Sequence, residues 1–289
     1  MVGRVGEWAG DAQQVGTNMS EPETYELFAV RYGTVAGRIR SDNFIIAPEH
    51  PTDPHDGPMP LDYFVWAIVN ENRTIVVDTG FERTEGDKRG RIIKHLPREG
   101  LEIIGIDASK VEDVIITHLH YDHAGTLDDF PAAKFHLQES EMNYATGKHM
   151  CHEPFGHAYA PDHVCAMVRR VFDGRVVFHD GAREIAPGIS VHWIGGHTAG
   201  VQCVRVLTKR GWVVLASDAS HFYENMEGIA PFPIVYSAAD MVQGYATMRD
   251  LAESPKHIIP GHDPMVMERY PLAVSGQEDV IRLDVQPTA

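Results

Sequence analysis

Nine consecutive residues carry most of the information about the fold: Thr117-His118-Leu119-His120-Tyr121-Asp122-His123-Ala124-Gly125. They follow a short β-branched run, so three imidazoles and one carboxylate come within six residues at the end of a predicted strand. Neutral imidazole and carboxylate groups are ligands that Zn²⁺ and similar ions accept. In an extended segment residues i and i+2 point the same way, which would let His118 and His120 share one ion. A turn could then direct Asp122 and His123 toward a second ion, and the alternative is a polar surface loop.

Each of three further candidate ligands stands just beyond an apolar, β-rich run: His197, Asp218 and His262. Loops at strand ends are where α/β folds gather their site residues, so these side chains are expected near the first cluster. Taken one at a time, each has a simpler explanation as a capping carboxylate or a loop histidine. Their recurrence at matching strand-end positions favours a shared site.

Short β-rich segments alternate with loops and a few helical stretches from Tyr25 onward. This alternation predicts a layered α/β protein whose sheets are buried under helices. The longest stretches of helical composition are residues 138–170, interrupted by Pro154 and Pro161, and residues 238–253. The predicted strands are residues 25–32, 63–70, 73–78, 114–117, 134–137, 176–179, 189–194, 201–207, 212–217 and 257–259.

The N-terminal region differs in composition from the rest of the chain. It is rich in glycine and polar residues and lacks the apolar core of a secretory signal. We therefore predict a disordered extension over residues 1–24, followed by a single domain over residues 25–289. The true start of the protein stays open between Met1 and Met19.

The chain has 289 residues, with 25 Lys and Arg against 41 Asp and Glu, which gives a net charge of −16. This charge argues against a nucleic-acid or anionic-membrane partner, because phosphate binding uses clustered Lys and Arg. No run reaches the roughly 18 apolar residues that a membrane span needs. The three scattered cysteines form no C-x-x-C pair and do not resemble a disulfide framework. We predict a cytoplasmic protein that acts on a small molecule.

The candidate ligands resemble, in order and approximate spacing, the ligand set of the metallo-β-lactamase superfamily. The strand and turn Val76-Val77-Asp78-Thr79-Gly80 is a second shared feature, and the resemblance spans roughly residues 25–270. It implies an αββα sandwich, an α/β fold of two mixed sheets flanked by helices, with a dinuclear metal site at one edge. By this resemblance the first ion is held by His118, His120 and His197. The second ion is held by Asp122, His123 and His262, and Asp218 bridges the two ions.

A dinuclear site of this kind implies hydrolysis by a metal-bridging hydroxide, since two divalent ions lower the pKa of a shared water. The chain has no G-x-S-x-G segment that would offer a serine nucleophile. Asp122 could orient the hydroxide and pass its proton to the leaving oxygen. The expected cofactor is two divalent ions per chain, with zinc as first choice and iron, manganese or cobalt as alternatives.

Within the superfamily the sequence is most similar to the quorum-quenching N-acyl-homoserine lactonases and the related 4-pyridoxolactonase. The shared segments are Ser217-Asp218-Ala219-Ser220 and Pro260-Gly261-His262-Asp263. The resemblance implies a lactone or other cyclic ester as substrate, and a homodimer. In those lactonases a tyrosine three residues after the bridging aspartate helps to stabilise the lactone oxygen. His221 occupies that position here, so either His221 or Tyr223 is expected to supply the donor.

Other functions remain open on the same ligand set. A thioester or cyclic amide could be the substrate, although only 27 residues follow His262, too few for the C-terminal domain of glyoxalase II relatives. Ribonuclease Z-like nucleases share the ligands, but the net charge disfavours RNA. A persulfide dioxygenase would use a single iron at His118, His197 and Asp218. A non-catalytic metal-binding scaffold is the third class.

The stretch 142–163 holds two sets of residues with more than one interpretation. Its four histidines could bind a third ion or lie at the surface: His149, His152, His157 and His163. Its apolar residues, together with three that follow Asp218, could wall a pocket for an acyl or aromatic group, or could be core. These are Met142, Tyr144, Met150, Phe155, Tyr159, Phe222, Met226 and Phe232.

Overall fold

Two mixed β-sheets form the centre of the protein in the computed structural model, which describes residues 23–45 and 57–288. The strands are β1 (Glu26–Val35), β2 (Leu61–Val69), β3 (Thr74–Val77), β4 (Ile92–Ile93), β5 (Asp113–Ile115), β6 (Lys134–Gln138), β7 (Val176–His179), β8 (Arg183–Ala186), β9 (Ile189–Trp193), β10 (Gln202–Thr208), β11 (Gly211–Ser217), β12 (Ile258–Pro260) and β13 (Val280–Arg282). The helices are α1 (Arg83–Lys88), α2 (Pro97–Ile103), α3 (Glu139–Ala145), α4 (Glu153–Gly156), α5 (Pro161–Phe172), α6 (Tyr223–Glu227), α7 (Ala238–Leu251) and α8 (Met265–Arg269), with short 3₁₀ turns between elements.

The first sheet has the strand order β13-β1-β2-β3-β5-β6-β7, and β4 also pairs with β1. Its strands β3, β5, β6 and β7 run parallel, whereas the pairs on the β1 side are antiparallel. The second sheet has the order β12-β11-β10-β9-β8 and is antiparallel except for the β11–β12 pair. Both sheets are therefore mixed, as the sequence predicts.

Side-chain alternation along the strands builds two separate cores. On β2, Phe64, Trp66 and Ile68 point into the space between the sheets, whereas Tyr63 and Val65 point to the opposite face. A period of two is what a strand buried on both faces requires. The inner core joins the two sheets, and the outer core lies between the first sheet and its helices.

Helices cover the outward faces of the sheets. Leu101 of α2, Tyr144 of α3 and Met167 of α5 belong to the outer core of the first sheet. Met241 and Tyr245 of α7 pack with the strands of the second sheet. The layers are thus helix, sheet, sheet, helix, which confirms the predicted αββα sandwich.

The predicted elements agree with the structure at most positions. The strand at residues 176–179 has the predicted bounds, and the helix predicted over residues 238–253 ends two residues earlier, at Leu251. The stretch 138–170 is divided into α3, α4 and α5, with prolines in the first turns of α4 and α5. The sequence analysis missed α1, α2, α6, α8 and the short edge strands β4, β8 and β13.

Three sequence predictions concern the ends of the chain and its environment. The N-terminal extension over residues 1–24 lies outside the described residues, apart from Glu23 and Thr24. No helix in the described part of the chain combines the length and apolar character of a membrane span. Cys151, Cys165 and Cys203 are all free, in agreement with the absence of a disulfide framework.

Candidate metal centre

Strand ends bring all seven predicted ligands together at one edge of the sandwich. The loop after β5 supplies four of them, the loops after β9 and β12 one each, and Asp218 directly follows β11. All seven are buried, and their possible ligand atoms fall into two groups, each within 4.8 Å. The first group is His118, His120, His197 and Asp218, and the second is Asp122, His123 and His262.

The carboxylate of Asp218 lies between the two groups. Its Oδ1 is 2.9 Å from Nε2 of His262 and 3.2 Å from Nε2 of His123. Its Oδ2 is 3.2 Å from Nε2 of His197 and 3.7 Å from Nε2 of His118. Each oxygen therefore faces a different group, which is the arrangement that a bridging carboxylate requires.

The backbone is specialised where Asp218 meets His262. Ser217, the last residue of β11, has a φ of 47°, in the left-handed region that non-glycine residues seldom adopt. A Cβ atom on Gly261 would lie 2.7 Å from the carbonyl oxygen of Ser217 and 3.0 Å from Oδ1 of Asp218. Only glycine allows this close approach, so Gly261 brings the β12 loop against the carboxylate.

Hydrogen bonds on the far side of the imidazoles set their orientation. Nδ1 of His262 donates to the carbonyl of Asp62 at 2.7 Å, and Nδ1 of His197 donates to the carbonyl of Ile234 at 2.8 Å. Both rings therefore present Nε2 to the site. Partners of this kind fix the tautomer of a metal-binding histidine.

Asp78 and Thr117 connect the ligand loop 118–123 to both sheets. Oδ2 of Asp78 accepts from Nδ1 of His123 at 2.7 Å and from the Thr117 hydroxyl at 2.8 Å, and Oδ1 accepts from the Thr117 amide at 2.7 Å. The Thr117 hydroxyl also lies 2.8 Å from the hydroxyl of Ser217. Asp78 is fully buried, so these contacts satisfy a charge that would otherwise be costly.

Glu141 of α3 connects two ligand loops by hydrogen bonds. Its buried carboxylate accepts from the amide of Leu119 at 2.9 Å, between His118 and His120. It also accepts from three groups on other segments: the Thr198 hydroxyl at 2.6 Å, the Gly200 amide at 3.1 Å and the Tyr159 hydroxyl at 3.0 Å. The loop that carries His197 is therefore tied to the loop that carries His118.

Three buried atoms of the site, Nε2 of His118, Nε2 of His123 and Oδ1 of Asp218, make no hydrogen bond of suitable geometry among the described residues, although Oδ1 lies within 3.2 Å of Nε2 of both His123 and His262. Buried polar atoms are nearly always paired, and lone pairs gathered in this way are suited to bind cations. Burial lowers the pKa of His118 and of His120 well below the usual value, which keeps these imidazoles neutral. Neutral imidazole is the form that binds divalent metals. Despite burial, the Asp218 carboxylate raises the pKa of His123 and of His262, so a divalent ion bound there would replace a proton. On these grounds the donor set fits divalent ions.

A cleft of about 150 Å³ opens onto these residues. Asp122, Asp218, His120 and His262 line its floor, and His221 lines it beside them. The walls are made by residues from the first sheet and the loops above it: Arg38, Leu61, Tyr63, Arg89, Arg91, Tyr121, His157, Ala158, Phe232 and Ile234. The cleft thus gives a small molecule access to the ligand cluster.

The structure separates the two predicted donors. His221 lies in the cleft, with Nε2 3.1 Å from Oδ2 of Asp218. Tyr223 does not line the cleft, so of the two residues predicted as donors His221 is the one placed beside the ligands. The side chain of Tyr223 packs into the core under the guanidinium of Arg269, because α6 begins at Tyr223 and turns it away from the site.

The residues of the stretch 142–163 contribute little to the cleft. Of the eight apolar residues considered, only Phe232 lines it, and the others belong to the cores or pack against them. His157 lies at the cleft wall, and His163 contacts Glu82 at 3.1 Å. None of the four histidines belongs to a metal-binding group among the described residues.

Sequence reasoning missed the three arginines, the two tyrosines and the buried glutamate that complete the site. Arg38, Arg89 and Arg91 are far from the ligands in sequence, and the tyrosine hydroxyls of Tyr63 and Tyr121 meet at 2.9 Å only in the folded protein. The one available signal for Tyr121 was its place inside the histidine cluster.

Curated proteins with similar sequences include N-acyl homoserine lactonases and probable metallo-hydrolases. An N-acyl homoserine lactonase of Bacillus cereus is 26% identical over 189 residues, which cover 60% of this chain and 69% of that protein. A second N-acyl homoserine lactonase, from Bacillus thuringiensis, is 24% identical over 187 residues, covering 60% and 69%.

Solved structures share the fold of this chain, and a family comparison identifies its superfamily. A quorum-quenching N-acyl homoserine lactone lactonase superposes with a TM-score of 0.67 at 20% identity, covering 84% of this chain and 95% of that one. A dizinc quorum-quenching lactonase gives 0.63 at 13% identity, covering 85% and 90%. The sequence model described as the metallo-beta-lactamase superfamily matches residues 59–262. That range holds more than half of the chain and all seven predicted ligands, and the chain therefore belongs to the metallo-beta-lactamase superfamily, as one of its metal-dependent hydrolases.

Proposed function

We propose that this protein is a dinuclear-metal-dependent hydrolase that opens a lactone, either N-acyl-homoserine lactone-like or another cyclic ester. The observation that carries the proposal is the position of the Asp218 carboxylate, with one oxygen toward each of two ligand groups. The relatives named N-acyl homoserine lactonases support a lactone as the substrate and quorum quenching as the biological role.

Each ligand group would hold one ion. The first ion would be bound by His118, His120 and His197, the second by Asp122, His123 and His262, and Asp218 would contact both. Four of the five histidines present Nε2, and His120 presents Nδ1, which lies 3.0 Å from Nε2 of His197. Histidine with carboxylate suits zinc, and also iron, manganese or cobalt.

Two divalent ions so bound would supply a water of lowered pKa and polarise the substrate carbonyl. Asp122 lies at the cleft floor with Oδ2 3.7 Å from Nε2 of His123 and 3.8 Å from Nε2 of His262. From there its carboxylate can orient the attacking water and then carry its proton to the leaving ring oxygen. With its single proton on Nδ1 and not on the Nε2 that faces Asp218, His221 can donate a hydrogen bond to the lactone oxygen, the role predicted for it from the sequence.

The experiment that tests this proposal joins metal analysis to a panel of lactones, thioesters and cyclic amides. We expect two divalent ions per chain and lactone hydrolysis that chelation abolishes and added metal restores. Asp218→Ala should bind less metal and lose more than about 100-fold in activity. Loss of a residue that only hydrogen-bonds to a metal ligand typically costs up to about 100-fold, and Asp218 is itself a proposed ligand. Asp250→Ala, at an exposed carboxylate of α7, is the matched control and should keep both metal and activity.

Two results would contradict the proposal. Turnover confined to thioesters or cyclic amides would assign a different carbonyl substrate to the same site. One iron per chain, bound without need for Asp122 or His262, would favour the mononuclear oxidoreductase.

The proposal includes three features that rest on the sequence alone. These are a single domain over residues 25–289, a homodimer and a cytoplasmic location. Size-exclusion chromatography with light scattering measures the second directly, and a monomer at micromolar concentration would remove it from the proposal.

A further inference from the structure

Three arginines line the same cleft as the predicted metal ligands. Arg38 follows β1, and Arg89 and Arg91 stand between α1 and β4, so two separate segments deliver them to one wall. All three are half-buried. On a chain with a net charge of −16, this is a local concentration of positive charge around a small opening.

The charge of Arg89 is already compensated. Its guanidinium forms an ion pair with Glu85 and donates to the carbonyls of His157 at 2.7 Å and Tyr159 at 3.2 Å. It also lies over the ring of Tyr121, 4.0 Å from the centroid. These contacts give Arg89 a structural role in joining α1 to the loop that covers the cleft.

Arg38 and Arg91 have only neutral partners. Nε of Arg91 donates to the hydroxyl of Tyr121 at 3.0 Å. Nε of Arg38 donates to Oδ1 of Asn43 at 2.7 Å, and its Nη2 donates to the main-chain carbonyl of Asp42. Among the described residues, no carboxylate oxygen lies within the 4.0 Å of an ion pair from either guanidinium. Within the described part of the chain, these two half-buried cations thus line the cleft without a carboxylate in direct contact, since Asp122 and Asp218 lie at its floor.

Such an arrangement costs free energy unless an anion completes it. Burial lowers the pKa of Arg38, and the nearby charge of Asp42 offsets this only in part. Burial acts on Arg91 in the same direction, but the neighbouring Tyr63, Tyr121 and Asp122 raise its pKa. A guanidinium binds carboxylate through two parallel hydrogen bonds, and these bonds are roughly twice as strong as those between neutral groups. An oxyanion held between Arg38 and Arg91 would therefore offset the loss of water around both.

We propose that Arg38 and Arg91 form a binding site for a carboxylate of the substrate, so that the preferred substrate is a compact lactone bearing a negative charge. This inference rests on the proposed lactonase function. The cleft holds only about 150 Å³, so the charged group and the reacting carbonyl must belong to one small molecule. Among the described residues, the lining without polar side-chain atoms consists of Leu61, Ala158, Phe232 and Ile234, which is a poor match for a long neutral acyl chain.

The test compares two lactones that differ only in charge: γ-butyrolactone with a carboxylate on the γ-carbon, and the same ring with a carboxamide. For the metal-loaded protein we expect kcat/KM to favour the carboxylate by about tenfold to a hundredfold, the usual contribution of a charged hydrogen-bond pair. Arg38→Gln and Arg91→Gln should each remove most of this preference, so that the carboxylate lactone loses much more of its kcat/KM than the carboxamide lactone does. Arg98→Gln, at an exposed arginine paired with Asp129, is the control and should keep the full preference.

A binding measurement separates this inference from the proposed function. Calorimetric titration with cyclopentanecarboxylate, which has no ester to hydrolyse, should show affinity that falls at least tenfold in both variants and not in Arg98→Gln. That result supports the site even if neither lactone is hydrolysed, in which case the lactonase proposal alone fails.

Three outcomes would overturn the anion site. One is equal kcat/KM for the two lactones in the unmodified protein. A second is an equal fall in kcat/KM for both lactones in each variant. That result would indicate that the arginines bind the carboxylate that ring opening forms in both reactions. The third is cyclopentanecarboxylate affinity that neither variant changes.

Discussion

The imidazole of His221 joins the Asp218 carboxylate to the cleft wall. Its Nε2 lies 3.1 Å from Oδ2 of Asp218, and its ring stacks on Phe232 with centroids 3.5 Å apart and planes within 7°. Burial lowers the pKa of His221 to about 3, so the ring is neutral at physiological pH. Its Nδ1 is buried and has no partner among the described residues. The side chain is thus held rigidly with one nitrogen available to a ligand.

Replacing His221 tests whether it acts on the substrate. His221→Phe should lower kcat/KM for lactones by about a hundredfold or more, the typical cost of removing one donor to a developing oxyanion. His221→Tyr, which restores the donor found in the lactonases that the sequence resembles, should recover part of the loss. Metal content should stay unchanged in both variants, because the proposed ligands remain.

A fall in metal content in His221→Phe would contradict this role. It would make His221 a ligand, which its distance to Asp218 and His262 also allows. His192→Phe is the control, since His192 is half-buried on β9 and does not line the cleft.

Asp78 should control metal affinity without touching metal. Its carboxylate orients His123 through the 2.7 Å bond to Nδ1 and fixes the start of the ligand loop through Thr117. Asp78→Asn should weaken metal binding by about tenfold to a hundredfold, the range seen for partners of metal-binding histidines. The measurement is competition with a chelating dye. Asp87→Asn, at an exposed position of α1, should match the unmodified protein, and equal affinity for both variants would refute the prediction.

The sequence predicts which seven side chains meet at one edge of the sandwich, because four of them are close in sequence. The segment 118–123 places four of them within one loop, and strand periodicity locates the loops that carry the other three. The layered fold follows from the same alternation, which is visible on β2 as two opposite apolar faces.

Residues that act through long-range contacts were not predictable in this way. Glu139 and Glu141 are both glutamates of α3, and the sequence does not distinguish them. Of the two, Glu141 is buried, because the face of α3 that carries it is turned toward the ligand loops. In the sequence, nothing distinguishes Arg38 and Arg91 from surface arginines. In the folded protein the pairing of β1 with β4 brings their flanking segments together. Short edge strands such as β8, with the sequence Arg183-Glu184-Ile185-Ala186, have too few apolar residues to give a periodic pattern.

The four hydrogen bonds to Glu141 should make it a major contributor to stability. Glu141→Gln keeps the shape but removes the charge and places an amide donor against groups that are themselves donors. We expect the free energy of unfolding to fall by about 2–3 kcal/mol, because charged hydrogen bonds contribute about 1.5–3 kcal/mol and unpaired buried donors are costly. Denaturant unfolding of the metal-free protein measures this. Glu139→Gln, two residues earlier and exposed, should change stability by less than about 0.5 kcal/mol, and similar losses in both variants would argue against the role of Glu141.

His179 should make the protein less stable as the pH falls. On the first sheet, Nε2 of His179 lies 3.1 Å from Nδ1 of His136, whose Nε2 is 3.0 Å from Oδ1 of Asp113. Burial, and then the neighbouring His136 and Arg183, lower the pKa of His179 to about 4. Between that value and the ordinary pKa of about 6.5, the unfolded chain binds a proton that the folded protein does not. This contribution is absent above pH 6.5 and destabilises the protein increasingly down to pH 4.

His179→Asn removes this proton, so its free energy of unfolding should decline less steeply than that of the unmodified protein between pH 6.5 and pH 4. The measurement is urea unfolding across that range with the metal load matched in both proteins, which cancels the contribution of the histidines at the metal centre. His152→Asn, at an exposed histidine, should follow the unmodified protein. Parallel curves for His179→Asn and the unmodified protein would mean that His179 takes up its proton as readily in the folded state as in the unfolded one.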